Sequence, residues 1–231
     1  MCTLILLRRP QLAETGGWPL LLAANRDEML SRPWLPPGAH WADQPDVTGG
    51  QDTLAGGTWL AFNTAGVVAG VLNRTGSLGP EQGKRSRGEL PLLALRHPTA
   101  AAASEALAGL SAAGWRSFNL IVADSRSAYF IRGLGTGVIT STPLPPGLTM
   151  IAASDPNDFS HPRIARHYPR FHAAEPPNPP DWGTWPALLA DADGPPESAL
   201  CVPSTNGFGT VSTMLIAIAP VRTETRFFMP P

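Results

Sequence analysis

The chain has 231 residues, 43% of them hydrophobic, enough for a substantial core in one large domain or two small ones. Seventeen basic and 18 acidic side chains leave a net charge of −1, and no run of one sign marks a nucleic-acid tail or a polybasic membrane anchor. The amino-terminal apolar stretch is too short for a secretory core, and no run approaches the roughly 18 apolar residues of a spanning helix. The expectations are no nucleic-acid partner, no transmembrane segment and a cytoplasmic location. The two cysteines, Cys2 and Cys201, are too few for a cysteine zinc site and poor grounds for a disulfide, and the five histidines lack HxH or HExxH spacing. No metal or cofactor is expected from these patterns.

In chain order, "CTLILL" (2–7) and "PLLLAAN" (19–25) read as a buried hairpin joined by the turn-rich "RRPQLAETGGW". Residues 32–55, rich in Pro, Gly and Asp, read as a long surface excursion. "GGTWLAFN" and "GVVAGVLN" flank the turn "NTAG" as a second hairpin. After the loop 74–88, "SRGE" resembles a capping box before a helix "LPLLALRH", and "PTAAAASEALAGL" supplies another helix. "FNLIVAD" (118–124), "AYFIRG" (128–133) and "LTMIAAS" (148–154) are strand-like, and "SHPRIARHYPRF" (160–171) predicts a helix capped by Ser160. A short helix near 184–191 and a closing hairpin, "TVSTMLIAIAP" with "TETRFFM", complete an α+β pattern of antiparallel sheets covered by helices, expected as a single domain over 1–231.

Two features point to chemistry. Removal of Met1 would leave Cys2 with both a thiol and a free α-amine. Such an amine titrates near 7.7–8.0, so it can accept the thiol's proton at neutral pH. The competing reading is a small buried residue starting an edge strand. The second feature is "NRDE" (25–28), three charges ending an apolar run. Arg26 is a permanent cation able to favour a nearby thiolate, and Asp27 or Glu28 can accept from an ammonium. Strand alternation would place Arg26 and Glu28 on one face and Asn25 and Asp27 on the other, unless the strand bends after Asn25. The alternative is a solvated ion pair at a strand end.

"MCTLILL", "LLAANRDEMLSRPW", "GGTWLAFNTAGVVAGVLNRTG" and "FGTVSTMLIAI" together resemble the NRDE family, also called the transport and Golgi organization protein 2 family. The resemblance covers nearly the whole chain, its first ~75 residues most specifically. It implies a four-layer αββα sandwich, similar to N-terminal-nucleophile hydrolases such as penicillin V acylases and bile-salt hydrolases, which cleave amide bonds with an N-terminal cysteine. Animal members of the family are linked to mitochondrial or Golgi function, lipid metabolism and haem mobilisation. Carried onto this chain, the resemblance makes Cys2 the nucleophile and Arg26 the neighbouring cation, and gives Asp27 the α-amine to hold. Asn73, ending "GVLN", becomes an oxyanion donor, although it also reads as a turn residue before "RTG".

Glu28, Trp59 and Arg163 are expected near substrate. Arg163 or Arg166 would take the place of a downstream hydrolase arginine, the other lying on an exposed helix face. Two departures from the hydrolases stand out: Arg26 and Asp27 are adjacent, and Ser154-Asp155 stands where a second asparagine would be, with Asn157 nearby. Two functions follow as expectations. One is an N-terminal cysteine amidohydrolase acting on a small acyl amide through a Cys2 thioester. The other is a non-catalytic protein that binds or carries haem or an acyl lipid on the same fold.

Overall fold

The computed structural model describes residues 2–229. In chain order its strands are β1 (Thr3–Arg8), β2 (Leu20–Met29), β3 (Trp34–Gly38), β4 (Val47–Asp52), β5 (Leu60–Asn63), β6 (Val68–Asn73), β7 (Phe118–Ala123), β8 (Ala128–Gly133), β9 (Thr140–Pro143), β10 (Gly147–Ile151), β11 (Phe208–Ala219) and β12 (Arg222–Phe228). Helices α1 (Glu89–Ala94) and α2 (Ala100–Ala108) fall between β6 and β7, and α3 (Pro162–Ala173) and α4 (Trp185–Leu189) between β10 and β11. The chain divides into two compact units, residues 1–31 with 146–231 and residues 32–145.

The first unit is a five-stranded antiparallel sheet in the order β10-β1-β2-β11-β12. Ile5, Leu21, Ala23, Met150 and Leu215 pack from the strands into one core with Ile164 and Phe171 of α3 and Trp185 and Leu189 of α4. β11 is a 12-residue strand whose apolar run "MLIAIA" is buried throughout, which suits it to the sheet interior beside β2. Its ladder with β2 slips between Thr210 and Ser212, leaving Val211 as the extra residue of a bulge.

The second unit is a seven-stranded antiparallel sheet in chain order, β3 to β9, whose core joins Val47, Ala61, Ala69, Leu120, Val122 and Ile131 to Leu90 and Ala94 of α1 and Ala103 and Leu107 of α2. Thr99 caps α2 by accepting from the Ala102 N–H. Each unit thus supplies one antiparallel sheet and its helices, an α+β arrangement. Among the described residues no helix is long and apolar enough to cross a membrane.

Four local expectations change. The excursion 32–55 contains β3 and β4, because Pro36 and Pro37 lie on an edge strand that tolerates a missing N–H. Gly49 permits close packing there, since a Cβ would stand 2.4 Å from that of Ala61. "SRGE" is no capping box: Ser86 Oγ accepts from Gly88 N in a turn, and α1 begins at Glu89 without a side-chain cap. The cap of α3 is His161, because the Ser160 hydroxyl bonds Asp158 instead. The polar strand β9, which has no apolar run to announce it, was not anticipated.

Candidate functional site

β2 does not bend after Asn25 but continues to Met29, so its side chains alternate through the whole NRDE run. Arg26 and Glu28 share one face, their charged groups 3.7 Å apart, with Arg26 5% and Glu28 30% exposed. Asn25 and Asp27 share the other. The Asn25 carboxamide donates to the carbonyls of Leu189 and Leu200, each at 2.9 Å, and accepts from the Thr213 hydroxyl at 2.7 Å.

Asp27 is the centre of the site. Its Oδ2 accepts from Arg163 Nη1 at 2.9 Å and its Oδ1 from Thr210 Oγ1 at 2.6 Å. Thr210 Oγ1 also accepts from the Val202 N–H at 2.7 Å, so its own proton is directed at Asp27. The bulge makes this possible. Thr213 pairs with Asn25, and simple alternation would set Val211 opposite Asp27, but the extra residue returns Thr210 to that place. Arg163 reaches the carboxylate from the first turn of α3, and the pair is enclosed, with side chains 3% and 0% exposed. The same Nη1 donates to Thr3 Oγ1 at 2.8 Å, and Nη2 donates to the Pro196 carbonyl at 3.2 Å. α3 and β11 therefore each bring one donor to this carboxylate, and β1 and the segment before β11 hold the guanidinium of Arg163.

Cys2 lies one residue ahead of the Thr3–Asn25 pair that opens the β1–β2 ladder. It is half-buried, and its Sγ is 3.8 Å from the backbone oxygen of Asp27. Burial pushes its thiol above the ordinary value and the Asp27 carboxylate pushes the same way, against smaller downward pulls that include Arg26. Burial also raises the second thiol, Cys201, and Asp27 adds to it. Both cysteines are free.

Cys2, Arg26, Asp27, Glu28 and Arg163 all belong to the first unit, Asp27 and Arg163 on one face of β2 and the Arg26–Glu28 pair on the other. Arg163 faces Asp27 and Thr3, while Arg166 pairs with Asp191 at 3.5 Å, 32% exposed. Asn73 and Trp59 belong to the second unit. Asn73 closes β6 opposite Phe118. Trp59 packs edge-on to Trp34, ring centres 5.7 Å apart, and lies over Gly50, where a Cβ would come within 2.3 Å of the indole. Asn157 has φ +55 and uses its carboxamide on β10, accepting from Met150 N at 2.8 Å.

Sequence reasoning missed Thr3 and Thr210. The signal for both is a hydroxyl inside an apolar strand: Thr3 is fully buried, and Thr210, Ser212 and Thr213 are buried ahead of "MLIAIA". Buried hydroxyls need partners.

The sequence model of the family "Transport and Golgi organisation 2" matches residues 1–174. The chain belongs to this family. Among its Transport and Golgi organisation 2 relatives, the Bos taurus homolog is 33% identical over 129 residues, 54% of this chain and 45% of that protein. The Drosophila melanogaster protein is 44% identical over 73 residues, 29% of this chain and 25% of its own length. The matched stretch spans under half the length of these family members.

The chain is also similar in structure to a Caenorhabditis elegans N-acylethanolamine-hydrolyzing acid amidase ortholog, with TM-score 0.68 at 12% identity and all of both chains covered. The C2A mutant of conjugated bile acid hydrolase from Clostridium perfringens aligns over 100% of this chain and 97% of its own, with TM-score 0.51 at 12% identity. At such identity the likeness carries the fold alone.

Proposed function

We propose that the protein is an N-terminal cysteine amidohydrolase acting on a small acyl amide. The observation that carries the reading is a thiol at the second residue beside Asp27, a carboxylate fixed on both oxygens by Arg163 and Thr210. Catalysis requires Met1 to be removed, and Met1 lies outside the described residues. The freed α-amine of Cys2 then takes the thiol proton, and Asp27 steadies the ammonium. A thiol pushed up by burial and Asp27 stays neutral until a base is next to it, which suits an amine created by processing.

The thiolate attacks the amide carbonyl and forms the C–S bond. The ammonium returns its proton to the leaving nitrogen as the C–N bond breaks. Water, deprotonated by the same amine, then cleaves the thioester and releases acid and thiol. For the oxyanion we propose Asn73, on the strength of the family resemblance; one such donor contributes about 3–4 kcal/mol to the transition state in general. For Arg163 we propose a positioning role on Asp27 in place of substrate contact, since its guanidinium faces Asp27, Thr3 and Pro196.

A haem-carrying reading has less support from the side chains. His161 caps α3, His167 is fully buried between a carbonyl and an arginine, and His172 stacks on Tyr168. The deciding test is intact mass after incubation with short N-acyl amides. A Met-less chain gaining one acyl group, lost in Cys2→Ser, supports the reading. A mature chain that retains Met1 rules it out.

A further inference from the structure

Residues 190–202 connect α4 towards β11, and the site itself holds this strap in place. Asn25 grips the Leu189 and Leu200 carbonyls, Arg163 the Pro196 carbonyl, and Thr210 both the N–H and the C=O of Val202. One further tie comes from outside the site. His167, one turn beyond Arg163 on α3 and fully buried, has Nε2 2.8 Å from the Ser198 carbonyl and Nδ1 3.2 Å from Arg170 Nη1.

A carbonyl only accepts and a guanidinium only donates, so the proton sits on Nε2 and Nδ1 must be bare. The ring is therefore held as neutral imidazole. A second proton would turn an N–H towards a cation. The charged groups around it are Arg166 and Arg170 of α3 and Asp191 of the strap, and Asp191 already pairs with both arginines. β10 and α4, which also pack on α3, contain no titratable residue.

We infer that His167 is a positioning residue: as a neutral donor it fastens the strap to α3, and its protonation releases the strap and with it the Arg163 tie to Pro196. The importance of the site to function rests on the hydrolase reading above; the latch does not. Burial, the largest cause, pushes His167 below its ordinary value. The unfolded chain therefore binds this proton first. The latch's stabilisation is complete above about pH 6.5 and is lost as pH falls from there through the folded value.

The test is amide hydrogen exchange of Leu200, Cys201 and Val202, whose N–H groups bond Asp191 O and Thr210 Oγ1, between pH 7.5 and 4.5 and corrected for intrinsic rates. The wild type should show opening that increases about tenfold or more on the acid side. His167→Gln, which keeps a donor but cannot titrate, should lose the step. Arg170→Leu, which removes the cation facing Nδ1, should move it to higher pH. A wild type with no step, or a step in the same place in both variants, overturns the inference. In parallel, the acid limb of Cys2 acylation should follow the same titration. Absence of any acylation alongside an intact exchange step would sink the hydrolase reading and leave the latch standing.

Discussion

Substituting Arg163 by methionine tests the core of the site. Methionine keeps most of the apolar stem but removes the donors to Asp27, Thr3 and Pro196. Asp27, whose side chain is 0% exposed, loses its buried guanidinium partner and keeps the hydroxyl of Thr210. Removing one partner of a buried ion pair typically costs about 3–5 kcal/mol, mostly the penalty of the charge left behind. In a chain of 231 residues that corresponds to a fall in Tm of about 6–20 °C. The penalty should shrink if the stranded charge is also removed. Asp27→Asn keeps an acceptor for Thr210, so Arg163→Met with Asp27→Asn should be less damaged than the sum of the single variants by about 2 kcal/mol. Denaturant unfolding of the four proteins at pH 7.5 measures this. An Arg163→Met chain within about 1 kcal/mol of wild type, or additive losses in the double variant, would refute the buried-pair argument.

Thr210→Val removes the hydroxyl from Asp27 and strands the Val202 N–H, so it should cost about 2 kcal/mol in denaturant unfolding, with Thr210→Ser close to wild type. In chains still carrying Met1, Cys2 should alkylate with iodoacetamide more slowly at pH 7.5 than an ordinary thiol, of which roughly one-tenth is ionised there, and speed up only at alkaline pH. A stopped-flow pH profile with an inflection below the ordinary thiol value would contradict the assigned burial. Gly50→Ala should push the Trp59 indole aside at a cost of about 1–3 kcal/mol, visible as a change in tryptophan emission.

Two hairpins were legible because their strands are apolar runs broken by turn residues, "CTLILL" with "PLLLAAN", which brings Cys2 to Asp27, and "LAFN" with "GVVAGVLN". The two carboxylates were legible as rivals: alternation sets Glu28 beside Arg26, and the resemblance alone points to Asp27. What held Asp27 was not. Its partners Arg163 and Thr210 lie 136 and 183 residues away, and no local period announces a contact of that range. Thr210 was further hidden by the bulge, since strict alternation would have offered Val211 in its place. The strands in 32–55 were obscured because Pro and Gly carry turn signals even where an edge strand or a close backbone approach uses them.

The wide separation of Thr210 from Asp27 also bears on how the protein is made. A ribosome adding about 5–20 residues per second needs about 10–40 s to cover the 183 residues between them. During that interval residues 32–145, an uninterrupted stretch with their own core, can fold, whereas β2 lacks its neighbour β11. Cys2 is made before Asp27, yet the groups that fix Asp27 beside it, Arg163 and Thr210, follow 136 and 183 residues after that carboxylate. A nascent chain shorter than this therefore presents the cysteine without its site, and any chemistry at Cys2 has to wait until Thr210 has been made and β11 has paired with β2.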